Sequence, residues 1–136
     1  MSEGAPAPVR VLVAEDEAAL ALELGETLQG LGCEVIGPVA TLPEALRLAR
    51  QEGDGLDAAI LDVNLGGSEV YPLAALLRRL AVPVLYTTGY AELPPGAPGA
   101  APALRTPVSP QDLAATLASL ARSREGERPL PLRIPA

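Results

Sequence analysis

The sequence predicts an α/β fold in which a parallel sheet is covered by helices on both faces. Two observations carry this. Short, nearly continuous aliphatic runs ("VRVLVA", "LDAAILDV", "VPVLYTT") alternate with longer stretches where Leu and Ala recur at helical spacing. Strands buried on both faces read as unbroken apolar runs, and the helices between them supply the cover. The length of 136 residues suits one domain with a real core.

Each element has its own warrant. Residues 1–8 read as a flexible leader of Gly, Pro and Ala, followed by a buried strand at 9–14. In "EDEAALALELGETLQGLG", Leu20, Leu24, Leu28 and Leu31 share one helical face and Gly32 is a stop. "CEVIGPVA" is a second, short strand. "TLPEALRLARQEG" opens with Thr41 as cap, Pro43 in the first turn and Glu44 three residues after the cap, and carries a stripe of Leu42, Ala45, Leu46 and Ala49. "LDAAILDV" is the third strand and "SEVYPLAALLRRLA" the third helix. Pro72 must lie in the first turn of that helix, or the helix starts later than Ser68. "VPVLYTT" is the fourth strand. Residues 91–104 lie where a fourth helix belongs, and their Pro and Gly content predicts an irregular segment instead, with a short fifth strand near Ala101–Arg105. "SPQDLAATLASLAR" closes the domain as a helix capped by Ser109, with Leu113, Leu117 and Leu120 facing inward. The domain spans 9–123, and residues 124–136 form a Pro-rich tail, extended or disordered.

Composition removes several chemistries. The chain has no His and no Lys, and its ten basic residues are all Arg. That excludes His-based nucleophile pairs, His metal ligands, Schiff bases and a phosphate-binding lysine. The lone Cys33 reads as a small buried hydrophobe in a reducing compartment. A net charge of −7 argues against nucleic acid or an anionic membrane as partner. No apolar run is long enough to span a membrane and no signal peptide is evident, so a cytoplasmic location is expected.

The chemistry gathers at the carboxyl ends of the strands, where open α/β sheets bind ligands. Glu15 and Asp16 follow strand one, Asp62 ends strand three, and Thr87 and Thr88 end strand four. Three carboxylates in one crevice repel unless a cation joins them. Mg²⁺ takes such oxygen ligands, and a carboxylate beside it can act as nucleophile toward a phosphoryl group. Each piece has a plainer alternative: Glu15 and Asp16 as the acids at a helix start, Asp62 as a cap of the "NLGG" turn, the threonines as strand formers.

"VLVAEDE", "AAILDVNL", "PVLYTTGY" and "RTPVSPQDL" resemble, in order and spacing, the landmarks of the response-regulator receiver domain over about residues 9–123. The resemblance implies a flavodoxin-like, doubly wound five-stranded parallel sheet of order 2-1-3-4-5. It implies phosphoryl transfer from a histidine kinase or phosphotransfer protein to Asp62, with Mg²⁺ held by Glu15, Asp16, Asp62 and the backbone carbonyl of Asn64. Thr88 becomes the hydroxyl that turns toward the phosphoryl group. "YTTGY", "DVNLGG" and "VYPLA" resemble a subgroup with a Phe-Ala-Thr-Gly-Tyr type motif, in which the fourth helix is often irregular. Two positions depart from the family. Thr106 stands where the family has Lys, and Ala103 where it often has an aromatic switch residue; Tyr90 is a substitute for the latter. Arg105 points to the opposite face unless the strand ends before it. The family's Lys-Pro bond is commonly cis, so a cis Thr106–Pro107 bond is expected.

The function expected is a stand-alone receiver, not an enzyme beyond its own phosphorylation and dephosphorylation, signalling through contacts with an unknown downstream protein. A homodimer is compatible with it. The alternative is a degenerate receiver used as a phosphate-insensitive binding or dimerisation module. A phosphohydrolase resembling the haloacid-dehalogenase type wants an Asp-x-Asp after strand one, which "AEDEAA" lacks.

Overall fold

The computed structural model describes residues 8–89 and 101–121. Strand β1 (Arg10–Ala14) is followed by α1 (Ala18–Gly30), β2 (Glu34–Val39), α2 (Leu42–Glu52) with a 3-10 turn at Gly53–Gly55, and β3 (Ala58–Asp62). Then come the two-residue strands β4 (Asn64–Leu65) and β5 (Ser68–Glu69), α3 (Tyr71–Arg79), β6 (Val84–Thr88), β7 (Ala103–Arg105) and α4 (Pro110–Ala121). Five strands pair in parallel in the order β2-β1-β3-β6-β7, the flavodoxin-like order expected.

Alternation along the strands divides the core in two. Leu12, Leu61 and Tyr86 pack with Ala45, Ala49, Leu73 and Leu77 of α2 and α3. Val11, Val13, Ile60 and Leu85 pack with Leu24, Leu28, Leu113 and Leu117 of α1 and α4. With no Phe or Trp in the chain, this packing falls to aliphatic side chains and Tyr86, whose ring meets Tyr71 edge-on at 5.7 Å. Truncating a fully buried leucine such as Leu28 or Leu117 to Ala costs about 2–5 kcal/mol in such a core.

The helix starts follow their caps. The Thr41 hydroxyl oxygen accepts the Glu44 N–H at 3.3 Å and the hydroxyl donates to the Glu44 carboxylate at 3.2 Å. The Ser109 oxygen accepts the Asp112 N–H at 3.0 Å. On α1, Leu24 and Leu28 are buried as expected, Leu20 is only half-buried, and Leu22 stands 64% exposed.

Helix α3 is shorter than "SEVYPLAALLRRLA" suggested. Ser68 and Glu69 pair back on Leu65 and Asn64 as a hairpin. Its two-residue loop is Gly66 and Gly67, both at positive φ (60° and 88°), as a tight I′-type turn demands. The helix therefore begins at Tyr71, with Pro72 inside its first turn. The strand expected near 101–105 is β7. The expectations for the leader before Pro8, for Tyr90, for an irregular segment over 91–100 and for the tail at 124–136 lie outside the described residues.

A bulge in β2 sets the geometry near the functional end. Leu12 pairs with Ile36, but Ala14 pairs with Val39, so β2 spends one residue more than β1. Gly37 sits there at φ 105°, where a Cβ would lie 2.9 Å from the Val13 carbonyl oxygen. Because of the bulge, the Val39 carbonyl reaches the Glu15 N–H at 3.0 Å.

Candidate functional site

Glu15, Asp16 and Asp62 converge at the carboxyl end of the sheet. One carboxylate oxygen from each lies within 4.8 Å of the others. Parallel pairing of β1 with β3, Ala14 opposite Leu61, brings the two strand ends level. Glu15 is buried, Asp16 exposed and Asp62 intermediate.

Each carboxylate is held by backbone. The Glu17 N–H donates to Glu15 Oε2 at 3.1 Å, and the Asn64 N–H donates to Asp62 Oδ1 at 3.1 Å. The Gly66 N–H of the hairpin loop donates to Asp16 Oδ2 at 3.1 Å. The Asn64 side-chain oxygen accepts the Gly67 N–H at 2.9 Å and holds that loop in place. The plainer reading of Glu15 is therefore partly true, since it serves a backbone N–H just before α1. It does so without ceasing to face Asp62.

The electrostatics are those of a site that lacks positive charge. Burial pushes the Glu15 carboxyl up to about 8, helped by the hydrogen bond and charge of Asp62 and by the charge of Asp16, against the opposing Glu17 N–H. Burial likewise raises Asp62, opposed by hydrogen bonds from Glu15 and the Asn64 N–H. The donor set is three hard carboxylate oxygens whose mutual repulsion a divalent cation would relieve, which fits Mg²⁺. Asn64 lies two residues past Asp62 with its backbone at the site.

Thr87 pairs with Asp62, and Thr88 with Arg105. Both threonines are buried, at the end of β6. Alternation turns Thr87 to the side of α1 and α4 and Thr88 to the side of Tyr86. Thr106 donates its N–H to the Thr88 carbonyl at 3.0 Å, and its bond to Pro107 is cis as expected. Arg105 belongs to β7, is exposed, and makes no ion pair among the described residues. Ala103 is exposed on the same strand. Thus Glu15, Asp16 and Asp62 are brought together, while Arg105 is not recruited to them.

One contributor, Gly66, was not anticipated, and the face to which Thr87 turns was not specified. Gly66 acts through its N–H, and a hairpin signal lay in the "GG" pair flanked by short apolar and polar residues. Thr87 lines a small cavity with Glu15 and Thr106. The signal was the doublet itself, since adjacent strand residues cannot face the same side.

No family model matches the chain. A curated relative, the phyllosphere-induced regulator PhyR of Methylorubrum extorquens, is 35% identical over 83 residues, 60% of this chain and 31% of that protein. The chain thus spans about a third of the length of that relative. Among solved structures, a response regulator receiver protein from Sinorhizobium medicae superposes with a TM-score of 0.75 at 25% identity, covering 86% of this chain and 97% of that one. SdrG from Sphingomonas melonis superposes with a TM-score of 0.70 at 35% identity, covering 85% of this chain and 98% of that one. With the strand order, the acidic trio and these likenesses in agreement, the chain belongs to the response regulator receiver family.

Proposed function

We propose that Asp62 accepts a phosphoryl group from a histidine kinase or phosphotransfer protein, and that the chain then signals through contacts with another protein. The observation that carries this is the convergence of Glu15, Asp16 and Asp62 to within 4.8 Å at the end of the sheet. Asn64 N–H fixes one oxygen of Asp62. The carboxylate attacks phosphorus; an O–P bond forms as the donor's bond to phosphorus breaks, and the donor group leaves. Glu15 and Asp16, with Asp62 and the Asn64 carbonyl, would hold Mg²⁺. When bound, the ion offsets the negative charge gathered on carboxylate and phosphoryl oxygens. On this reading Thr88 and Thr106 supply neutral hydroxyls to the phosphoryl group. No helix among the described residues is long and apolar enough to cross a membrane. The domain proper is taken as 9–123.

A neutral Thr106 in place of a cation weakens stabilisation of the phosphoryl group by about 1.5–3 kcal/mol, the range for a hydrogen bond to a charged group. Phosphorylation is therefore slow, or its product short-lived. The test is incubation with Mg²⁺ and acetyl phosphate followed by a phosphate-affinity gel. A retarded band absent from Asp62→Asn is expected. A band that persists in that variant sinks the proposal, and labelling as fast and durable as in a receiver with the lysine refutes the weakening assigned to Thr106.

One observation favours a second reading, a phosphate-insensitive binding or dimerisation module. Ala103 and Arg105 are both exposed on β7, so neither an aromatic ring nor a guanidinium from that strand answers the site. Beryllofluoride with Mg²⁺ separates the two. Amide shifts spreading from Asp62 to Thr88 mark a working switch, and shifts confined to Asp62 mark the module.

A further inference from the structure

The outer face of α1 is left uncovered by the described residues. Leu22 lies on it, 64% exposed, the one large apolar side chain so exposed among them. At about 3.6 residues per turn, Ala18, Leu22 and Gln29 form the crest of the helix, and Ala19, Glu23 and Glu26 lie between that crest and α4. All six are exposed. Gly25, one turn past Leu22, could carry a Cβ that meets no atom within 4 Å. Packing among the described residues therefore does not call for a glycine there, although glycine weakens a helix interior.

What covers this face follows from charge and reach. Helices α1 and α4 carry Glu23, Glu26 and Asp112 and no basic residue. Arg47, Arg50, Arg78 and Arg79 are all on α2 and α3, across the sheet. Residues 122–136 lie outside the described residues and follow directly on α4. They hold four Arg against two Glu, with Leu130, Leu132 and Ile134 set among prolines. Positive charge beside aliphatic side chains is the complement of Glu23 and Glu26 around Leu22. Helices α1 and α4 pack on the same face of the sheet and run in the same direction along it. Arg128 comes seven residues after Ala121. Seven residues of extended chain can span about 20 Å. Going back from the last turn of α1 to Leu22 takes about 10 Å. A second copy that presented the same face would set Glu23 and Glu26 against their own kind, in a chain of net charge −7.

We propose that residues 128–134 of this chain, "RPLPLRI", dock on the outer face of α1, with Leu130 and Leu132 over Leu22 and with Arg128 and Arg133 against Glu23 and Glu26. The contact is made within one chain. Helix α1 begins at Ala18, just after Asp16, so the docked segment borders the carboxylate site. Any other protein that uses this face must displace it. The inference does not rest on phosphorylation of Asp62.

The test uses the full chain with labelled Leu and Ile methyls, at low salt and without metal or phosphoryl donor. NOEs from the Leu22 methyls to those of Leu130, Leu132 or Ile134 are expected. Leu22→Ser, at a position the core does not use, should move the Leu130 and Leu132 methyl signals to those of a free RPLPLRI peptide. Arg128→Glu combined with Arg133→Glu should lower the docking equilibrium constant roughly 2- to 30-fold, the effect of two exposed ion pairs. The population-weighted Leu130 and Leu132 shifts read that change. Leu130 and Leu132 signals that already match the free peptide in the unaltered chain, with no NOE to Leu22, overturn the proposal. Shifts that ignore both charge reversals overturn it too. NOEs that fade on tenfold dilution assign the segment to a second copy and overturn the contact within one chain. No phosphoryl donor is present, so failure here is distinct from failure of Asp62 to be phosphorylated.

Discussion

Burial of Glu15 against Asp62 gives the metal-free protein an unusual pH response. The folded chain holds the Glu15 proton up to about pH 8, against an ordinary value of 4.5. The folded state therefore binds more protons than the unfolded state between these values. Stability is complete below about 4.5 and falls as pH rises through about 8, by a few kcal/mol. Urea denaturation with a chelator present at pH 5 and pH 9 measures this, and Glu15→Gln should flatten the difference. Cys33 tests the other core. Burial, with the charge of Asp57, pushes its thiol up to about 11. Iodoacetamide should leave it unmodified in the native protein at neutral pH and alkylate it at once in urea; fast native labelling would show that the α1 side opens. The placement of Glu15 at the strand end and the burial of Cys33 were legible in the sequence because each follows from one residue type in one place. The direction of Thr87 was not singled out, because a doublet at a strand end takes its meaning from which helices cover each face.

At the level of elements, the two ends of α1 and α3 are closed by the same hydrogen-bond pattern. After α1, the N–H groups of Gly32 and Cys33 reach the carbonyls of Gln29 and Leu28. After α3, those of Ala81 and Val82 reach Arg78 and Leu77. These are Schellman closures, and the left-handed residue they need is Gly32 in the first but Ala81, at φ 63°, in the second. Ala81→Gly should therefore stabilise the protein by about 0.5–1 kcal/mol, since it relieves the Cβ strain at an exposed position. A thermal melt at neutral pH reads this, and a lower midpoint would refute it. The same level explains what the sequence did not disclose. The capped starts of α2 and α4 follow local chemistry. The β4–β5 hairpin is two residues a side, too short for any periodicity, and its Ser68–Glu69 arm looked like a helix start because a helix does follow.

Across the whole molecule, a parallel sheet was readable because α1, α2 and α3 alternate with apolar strands, while its order came from the family resemblance. The site was readable for the same reason, since Glu15, Asp16 and Asp62 each directly follow or end a strand. Their union lets metal binding be measured as stability. Millimolar Mg²⁺ should raise the unfolding midpoint of this acidic chain in a concentration-dependent way, by mass action on the folded state. Asp62→Ala should lose most of that rise, and an unchanged response would mean the ion sits elsewhere. The bulge at Gly37 has a consequence of its own. It hooks the main chain of Glu15 to Val39, on the outermost rail of the sheet. Whatever grips or loosens that flank thereby tugs on a buried carboxylate, so the rim and the pocket are mechanically one part.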